Sequence, residues 1–396
     1  MPTTWGSRLL RDYVPPRDEL PVAKLRATGA VIVGKTNVPE FATQGVTDNL
    51  LIGPTRNPWN LALTPGGSSG GAAAAVAAGC TPIALVTDGG GSTRRPASHC
   101  GLVGFKPSHH WVPRGGGVPE IFLDYEAIGG LARSVEDVRL LMTACGATRT
   151  LADLRPSKIL YVPRFGRNPV DPSIAAHTLE AVKRLQSLGH AVADGSAQEF
   201  DLADDINRLW PRLSAAGLAW LLGQRDQSDQ CDQHDQRGHR GPWQAAFGSD
   251  RTIDLALCTP GTQALVESGR GLDASALFEL LMSARKLAQR LDEDVFARDK
   301  FDFMLTPCTA ALAWPVGETH PSTIAGEAVG ARGHAVFTAL ANAAGLPAIA
   351  LPTGLVDGVP TGIQLIGRRW SDARLVALAS AWEAAYPFTA RPGIGV

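Results

Sequence analysis

The sequence is poor in the features that mark nucleic-acid-binding, membrane and secreted proteins. Only 19% of its 396 residues are charged, and the formal net charge is −1. No run of like charges builds a basic stripe, so we expect no nucleic acid partner. No apolar stretch is long enough to span a bilayer, and the N-terminus lacks the charged start and apolar core of a signal peptide. These absences predict a cytoplasmic protein without membrane contact.

Cysteines and aromatic residues are also few and scattered. The six cysteines stand singly along the chain, which is not the spacing of a disulfide framework and favours reduced, mostly buried thiols. Aromatic residues make up 6% of the chain, whereas 44% of all residues are hydrophobic, which allows a large core. No cofactor and no metal are predicted, and a homodimer is the oligomer that general frequency favours.

What the sequence does contain is an alternation of amphipathic helices with short β-branched runs in its first and last thirds. This rhythm is typical of a β-sheet with helices on its faces, so we expect the last third to complete the sheet begun by the first. Helices are predicted at residues 18–28, 69–78, 134–144, 171–188, 275–297, 333–343 and 373–384. Strands are predicted at residues 30–33, 83–86, 303–306, 348–352 and 361–366.

The middle of the chain has a different character. Periodicity weakens over residues 202–268, and residues 226–241 form a polar, low-complexity insertion that cannot bury a face. Cys231, His234 and His239 within it could bind zinc. An adventitious polar run is the favoured interpretation, because such a loop lacks the supporting contacts of metal sites.

A first glycine-rich segment, residues 65–71 (PGGSSGG), precedes a helix made almost wholly of alanine. Glycines let backbone amides approach a ligand closely, and the helix N-terminus adds a positive dipole. A plain turn packed against a small-residue helix is the alternative. The segment also fits G-x-S-x-G around Ser68 or Ser69, but a nucleophile elbow needs an apolar strand before it, and residues 57–65 contain no β-run.

A second glycine-rich segment, residues 87–96, follows the predicted strand 83–86. It places Ser92 at the end of a strand, directly after three glycines whose amides can converge on one oxygen. The three are Gly89, Gly90 and Gly91. This is the make-up of a nucleophile beside an oxyanion hole. Asp88 and Arg94 flank the segment with opposite charges, which either brace its turn or form a simple surface ion pair.

Two other patterns are set aside on physical grounds. Residues 29–36 satisfy the phosphate-loop pattern G-x-x-x-x-G-K-[ST], but Ala-Val-Ile-Val is a buried-strand sequence and the residues before Gly29 indicate a helix. His99, His109 and His110 are the bases that a nucleophile elbow could use. We interpret these histidines as surface or packing residues.

Five motifs stand in the order and at the spacing of a known family. They occupy residues 34–41, 53–59, 65–71, 88–96 and 101–108. Together they resemble the signature region of the amidase signature family. Weaker similarity continues at residues 306–307, 342–352 and 360–369. The resemblance implies one amidase signature domain over residues 1–396, with a mixed, largely parallel β-sheet core covered by helices on both faces. It also implies that Trp314 lies near the acyl pocket.

The resemblance further implies a Ser-Ser-Lys mechanism that hydrolyses a small-molecule carboxylic amide through an acyl-enzyme. Ser92 would be the acylating nucleophile, and Ser68 the bridging serine, whose peptide bond is cis in the family. The oxyanion amides would come from Gly89, Gly90 and Gly91. The supporting residues would be Asp88, Arg94 and Ser69. A lysine completes such a site, and it accepts the proton of the bridging serine only if its pKa is lowered by burial and by its neighbours.

That lysine has no counterpart in the 396 residues. In the family it ends a strand that resembles VPIAVKD, just upstream of the segment that is residues 3–7 here, so the spacing puts it before Met1. Lys35 belongs to the downstream Gly-Lys motif, and neither Lys24 nor Lys106 has a spacing argument as a surrogate. We interpret the sequence as truncated at its N-terminus and expect weak or absent activity.

Three hypotheses about function remain open at this point. The first is an amidase that acts on linear carboxylic amides. The second is a catalytically inactive relative that keeps the fold and a small-molecule pocket. The third is a component of an amidotransferase that delivers ammonia to a partner, as one branch of the family does. The variable loops of the middle third would decide which amide is bound.

Overall fold

The computed structural model describes residues 1–147, 155–195, 202–223, 242–248, 253–297 and 300–393. The predicted insertion at residues 226–241, with Cys231, His234 and His239, lies outside these ranges. Within them, no helix is both long and apolar enough to cross a membrane.

The strands of the described chain form one large sheet and one small hairpin. They are β1 (Ile83–Asp88), β2 (Val103–Lys106), β3 (Ala127–Ala132), β4 (Lys158–Tyr161), β5 (Ala191–Asp194), β6 (Phe303–Pro307), β7 (Thr323–Ile324), β8 (Glu327–Ala328), β9 (Ala348–Val356) and β10 (Val359–Gly367). β7 and β8 form the hairpin, and the other strands form a sheet in the order β1-β3-β2-β9-β10-β6-β4-β5. Because β2 and β9 are neighbours, the first and last thirds of the chain share one sheet, as predicted.

The sheet is mixed, and the direction of its strands follows from how they are connected. β4 runs parallel to β5 and to β6, whereas the neighbouring pairs from β1 to β6 are antiparallel. The predicted parallel arrangement is therefore found at the β6-β4-β5 end. β9 and β10 are joined by a tight turn at Asp357 and Gly358, a connection that only antiparallel strands can use.

Helices cover both faces of the sheet, which confirms the predicted fold class. They are α1 (Leu20–Ala27), α2 (Gly70–Ala77), α3 (Arg94–Cys100), α4 (Val135–Ala144), α5 (Pro172–Ser187), α6 (Leu202–Leu222), α7 (Pro242–Phe247), α8 (Pro260–Arg270), α9 (Ala274–Asp294), α10 (Ala339–Ala343) and α11 (Asp372–Ala385). Helices α4, α5 and α11 share one core cluster. Helices α2, α3, α9 and α10 pack on the opposite face.

The alternation of side chains along β10 shows how the sheet separates its two faces. Ile363 and Leu365 lie in the core cluster shared with α4, α5 and α11, and Ile366 lies in the cluster on the other face. Since side chains alternate along a strand, Gln364 shares the face of Ile366. The burial of a polar residue on this face indicates that the site lies on this side of the sheet.

Most predicted elements occur within a few residues of their expected bounds, but the strand predicted at residues 30–33 is wrong. This segment has no regular secondary structure, and the side chains of Val31 and Val33 are 85% and 76% exposed. A β-branched run forms a strand only when a neighbour completes its hydrogen bonds and its side chains can be buried. The weak periodicity of the middle third also concealed α6 and α8.

Candidate active site

The loop that carries Ser92 connects the sheet to a helix. β1 ends at Asp88 and α3 begins at Arg94, and Ser92 is buried, with 6% of its surface exposed. Gly91 has a φ of +112°, and a Cβ at this position would lie 2.1 Å from Thr338 Oγ1. Only glycine fits such a backbone conformation and such a close approach, so the shape of the loop requires glycine at position 91.

Ser68 lies on a neighbouring segment that is hydrogen-bonded to the Ser92 loop. The Gly67–Ser68 peptide bond is cis, as the resemblance implies, and Ser68 is buried. The Ser69 N–H donates to the Ser92 carbonyl at 3.3 Å, and Ser69 Oγ donates to the Thr87 carbonyl at 3.3 Å. The two serine-bearing segments of the sequence are therefore in direct contact.

The carbonyl groups before Ser92 are held by side chains from distant parts of the chain. Trp210 Nε1 donates to the Gly89 carbonyl at 2.8 Å, and Thr338 Oγ1 donates to the Gly90 carbonyl at 2.8 Å. Sequence reasoning missed both side chains, and for Trp210, in the weakly periodic middle third, the sequence offered no signal. These bonds fix the orientation of two successive peptide groups of the loop.

The N–H groups of the same loop are not all available. The Gly91 N–H donates to Asp88 Oδ1 at 2.7 Å, and the Thr93 N–H donates to Asp88 Oδ2 at 3.1 Å. Among the described residues, no acceptor is found for the N–H of Gly89 or Gly90. The expectation that three glycine amides converge is thereby corrected. The Asp88 carboxylate accepts the hydrogen bond of the Gly91 N–H. Among the described residues, this leaves the N–H groups of Gly89 and Gly90 as free donors.

Asp88 and Arg94 form a buried ion pair beneath the loop. Arg94 Nε donates to Asp88 Oδ2 at 3.0 Å and Nη2 donates to Oδ1 at 2.8 Å, and both side chains are 0% exposed. Burial by itself would raise the pKa of Asp88, but the charge and hydrogen bonds of Arg94 outweigh burial and hold this pKa well below its usual range. The pair braces the turn by two parallel hydrogen bonds, and the surface-pair interpretation is excluded.

The remaining donors of Arg94 are also satisfied. Nη2 donates to Asn342 Oδ1 at 2.6 Å, and Nη1 donates to the Thr338 carbonyl at 2.8 Å and to Gln364 Oε1. Asn342 Nδ2 in turn donates to the Asp88 carbonyl at 2.6 Å. Asn342 and Gln364 lie in the segments of weaker family similarity, and this similarity was the signal that could have found them.

Lys106 interacts with this network through its charge. Its Nζ donates to the Pro107 carbonyl at 2.8 Å. Burial, followed by the charge on Arg94, lowers the pKa of Lys106 from 10.5 to about 7. Within the described part of the chain, no hydrogen bond joins Lys106 to Ser68 or Ser92.

The other lysines weighed from the sequence lie elsewhere. The Lys24 ammonium packs against Gly146, just beyond the end of α4, which is on the opposite face of the sheet. Lys35 donates to Thr3 Oγ1 at the surface. Neither lysine is positioned to act on the two serines.

The patterns set aside from the sequence do not form sites either. Residues 57–65 contain no strand, and residues 29–36 contain no strand or helix. His110 is exposed and lies 3.2 Å from Asp124. His99 and His109 are buried, and burial lowers the pKa of His99 to about 3 and that of His109 to about 2.

Trp314, which was expected near the acyl pocket, is buried next to two histidines. Its ring centre lies 5.7 Å from that of His99 and 4.7 Å from that of His334. Its Nε1 donates to the Glu318 carbonyl at 2.9 Å. The ring therefore forms part of a wall beside the Ser68 segment, since Gly66 packs against His99.

Comparison with known proteins relates the whole chain to enzymes that act on amides. The chain is 34% identical over 405 residues to a glutamyl-tRNA(Gln) amidotransferase subunit of Symbiobacterium thermophilum, an alignment that covers 97% of this chain and 79% of the relative. It is 36% identical over 414 residues to the subunit of the same name from Moorella thermoacetica, covering 100% of this chain and 82% of the relative.

Solved structures of hydrolases share the fold. A bacterial aryl acylamidase of the amidase signature family matches with a TM-score of 0.82 and 28% identity, covering 98% of this chain and 80% of that one. A 6-aminohexanoate cyclic dimer hydrolase bound to its substrate matches with a TM-score of 0.83 and 26% identity, covering 98% and 83%. The amidase family model matches residues 1–376. With its buried serine loop and this match over nearly its full length, the chain belongs to the amidase signature family.

Proposed function

We propose that this protein cleaves a carboxylic amide through an acyl-enzyme formed on Ser92. The observation that carries the proposal is the hydrogen bond of 3.3 Å from the Ser69 N–H to the Ser92 carbonyl, which joins the Ser68 segment to the Ser92 loop. The free N–H groups of Gly89 and Gly90 belong to the same loop. This arrangement supports a nucleophile, a proton carrier and donors for a developing oxyanion in one site.

In the proposed reaction, Ser92 Oγ bonds to the carbonyl carbon of the amide while its proton passes to Ser68, and Ser68 releases its own hydroxyl proton to the amide nitrogen in the same step. The amide oxygen gains negative charge and accepts hydrogen bonds from Gly89 and Gly90, each such donor contributing about 3 kcal/mol. The C–N bond then breaks with its electron pair going to the protonated nitrogen, so that ammonia or an amine leaves. Water then attacks the ester on Ser92 and releases the carboxylic acid, which restores the hydroxyl group.

The supporting residues keep this loop in shape. The ion pair of Asp88 with Arg94 fixes the Gly91 and Thr93 amides, and Ser69 ties the two segments together. The lysine that the resemblance implies is not among the 396 residues, so we expect turnover by this chain to be weak.

Replacing the nucleophile tests the proposal most directly. With 4-nitroacetanilide as substrate, we expect Ser92→Ala to reduce the weak turnover of the unchanged chain to the uncatalysed rate, because the acyl-enzyme can no longer form. Mass spectrometry after mixing with 4-nitrophenyl acetate should find an acetyl group on Ser92 of the unchanged chain. Ser187→Ala, at an exposed serine that ends α5, is the matched control and should behave as the unchanged chain.

Two results would count against an acyl-enzyme on Ser92. Turnover that survives Ser92→Ala would assign the chemistry to another group. Absence of both turnover and an adduct would favour the inactive relative that keeps a small-molecule pocket.

A second candidate function is that of a component of an amidotransferase complex. The identities of 34% and 36% to the two amidotransferase relatives over nearly the whole chain favour it. The chain would then act within a complex and supply ammonia to a partner. Size-exclusion chromatography with the other amidotransferase components encoded in the same genome, followed by an assay of ammonia release, tests this candidate. Lack of both a complex and a stimulation of ammonia release would contradict it.

A further inference from the structure

Arg332 is a half-buried arginine whose guanidinium charge is not neutralised by its surroundings. It precedes the short 3₁₀ turn Gly333–Ala335, and its guanidinium stacks on Trp210, 4.3 Å from the ring centre. Its Nε and Nη2 atoms are buried and have no hydrogen-bond partner among the described residues. Burial, followed by the charge of Arg95, lowers the pKa of Arg332 to about 9. A donor that has lost water without gaining an acceptor costs free energy.

The neighbouring groups add a further donor. Arg95 Nη1 lies 2.9 Å from His334 Nε2. Because a guanidinium only donates, Nε2 accepts, and the neutral ring carries its proton on Nδ1. Burial, followed by the charges of Arg95 and Arg332, lowers the pKa of His334 well below its ordinary value, so the ring is neutral. The Nδ1 atom is buried and has no partner in the described part of the chain.

The carboxylates of the described residues leave this region with an excess of positive charge. Neither Arg95 nor Arg332 forms an ion pair with an aspartate or glutamate in the described ranges. Asp88 interacts with Arg95 through its charge, but Asp88 is held by Arg94 and by the loop amides. The region around Arg332 therefore has buried donors in excess over acceptors.

This region adjoins both halves of the proposed site. Arg95 Nη2 donates to the Gly67 carbonyl at 3.2 Å, and Gly67 is joined to Ser68. Trp210, on which Arg332 stacks, donates to the Gly89 carbonyl in the Ser92 loop. An anion bound at Arg332 would thus lie beside the reacting amide and belong to the same substrate.

We propose that the amide substrate carries a carboxylate whose oxygens accept hydrogen bonds from Nε and Nη2 of Arg332, with His334 Nδ1 as a further donor beside them. The planar guanidinium fork matches the two oxygens of a carboxylate, and such bonds are about twice as strong as neutral ones. This inference rests on the proposed function, because it names the substrate class of the same site. The substrates that it predicts are amides of dicarboxylic acids, or of amino acids with a free carboxylate.

Binding measurements on a chain that cannot turn over test this inference. In the Ser92→Ala background, isothermal titration calorimetry compares monoamides of dicarboxylic acids, from succinamate upward in chain length, with their neutral methyl esters. We expect at least one acid to bind about tenfold or more tightly than its ester. Arg332→Met should abolish this preference. Arg26→Met, at an arginine whose side chain is 57% exposed, should retain it.

Esters that bind as tightly as the acids throughout the series would overturn the inference, and so would a preference that survives Arg332→Met. If Arg332→Met does not give a cooperative melting transition, Arg332→Lys replaces it. This variant keeps the charge but loses the fork, so it should show a reduced preference. An undiminished preference in Arg332→Lys would also overturn the inference.

The binding measurements and the turnover measurements together distinguish a failure of this inference from a failure of the proposed function. Carboxylate-dependent binding without turnover by the unchanged chain would count against the acyl-enzyme proposal alone. Turnover of anilides that depends on Ser92 but shows no preference for a substrate carboxylate would count against the carboxylate site alone.

Discussion

Two arginines whose guanidinium groups contain buried nitrogen atoms have opposite environments. The Arg94 cluster, formed by Asp88, Arg94, Thr338, Asn342 and Gln364, gives Arg94 a carboxylate and three neutral acceptors. Arg332 instead stacks on an aromatic ring and leaves two nitrogen atoms without partners in the described chain. Both arginines lie close to the proposed site. The difference between their environments therefore reflects different roles and not different locations.

The difference separates support from recognition. A buried charge that is fully paired strengthens the structure only as long as its partners remain, and it has no capacity to bind a ligand. A buried charge with free donors costs stability in the absence of ligand and recovers it when an anion binds. The Arg94 cluster thus holds the Ser92 loop, whereas Arg332 is suited to bind substrate.

The largest effect is expected from Arg94→Met. The substitution leaves the Asp88 carboxylate buried without its counter-charge, so we expect the free energy of unfolding to fall by about 3–5 kcal/mol. Urea denaturation at neutral pH measures the change. Arg26→Met, which breaks a surface pair with Asp18, serves as the reference and should cause no comparable loss. If Arg94→Met and Arg26→Met had the same free energy of unfolding, the Arg94 cluster would not be the structural support that distinguishes it from Arg332.

A smaller effect, with a defined dependence on pH, is expected from Lys106→Met next to the Arg94 cluster. The pKa of Lys106 falls from 10.5 to about 7 on folding, so between these values the unfolded chain binds the proton and the folded chain does not. The cost of burying Lys106 is present in full below about pH 7 and disappears as the pH rises toward 10.5. We therefore expect Lys106→Met to be more stable than the unchanged chain at neutral pH, by on the order of a few kcal/mol.

Urea denaturation of both chains at increasing pH checks this prediction, because all other groups are common to the two. The gain should shrink steadily above neutral pH. A gain that is constant with pH would show that packing, rather than the charge of Lys106, causes it.

The smallest change is expected from Arg332→Met. Loss of the cation–π contact with Trp210 destabilises the fold, but removal of two buried donors without acceptors stabilises it, so we expect a net change within about 1 kcal/mol. Thermal and urea unfolding, compared with Arg94→Met under the same conditions, measure it. A loss as large as that of Arg94→Met would mean that Arg332 is a structural residue, and the comparison would fail.

Local sequence motifs identified the candidate catalytic residues but did not identify the distant residues that surround them. Ser68, Ser92 and the ion pair of Asp88 with Arg94 were identified from local motifs, because glycines, serines and flanking charges stand together in the chain. Trp210 and Arg332 were not identified, since each lies in a segment without local signal and reaches the site only through tertiary packing. Their roles depend on which distant residues they meet.

The sequence by itself determined the α/β class and the two glycine-serine segments, because these depend on periodicity and on residue types at short spacing, and the resemblance of five ordered motifs indicated the family. Only the tertiary structure decided that residues 30–33 form no strand, that the Gly91 N–H donates to Asp88, and that two buried nitrogen atoms of Arg332 have no partner among the described residues. Hydrogen bonding and burial of these groups depend on contacts between residues far apart in the chain, and local patterns carry no record of such contacts.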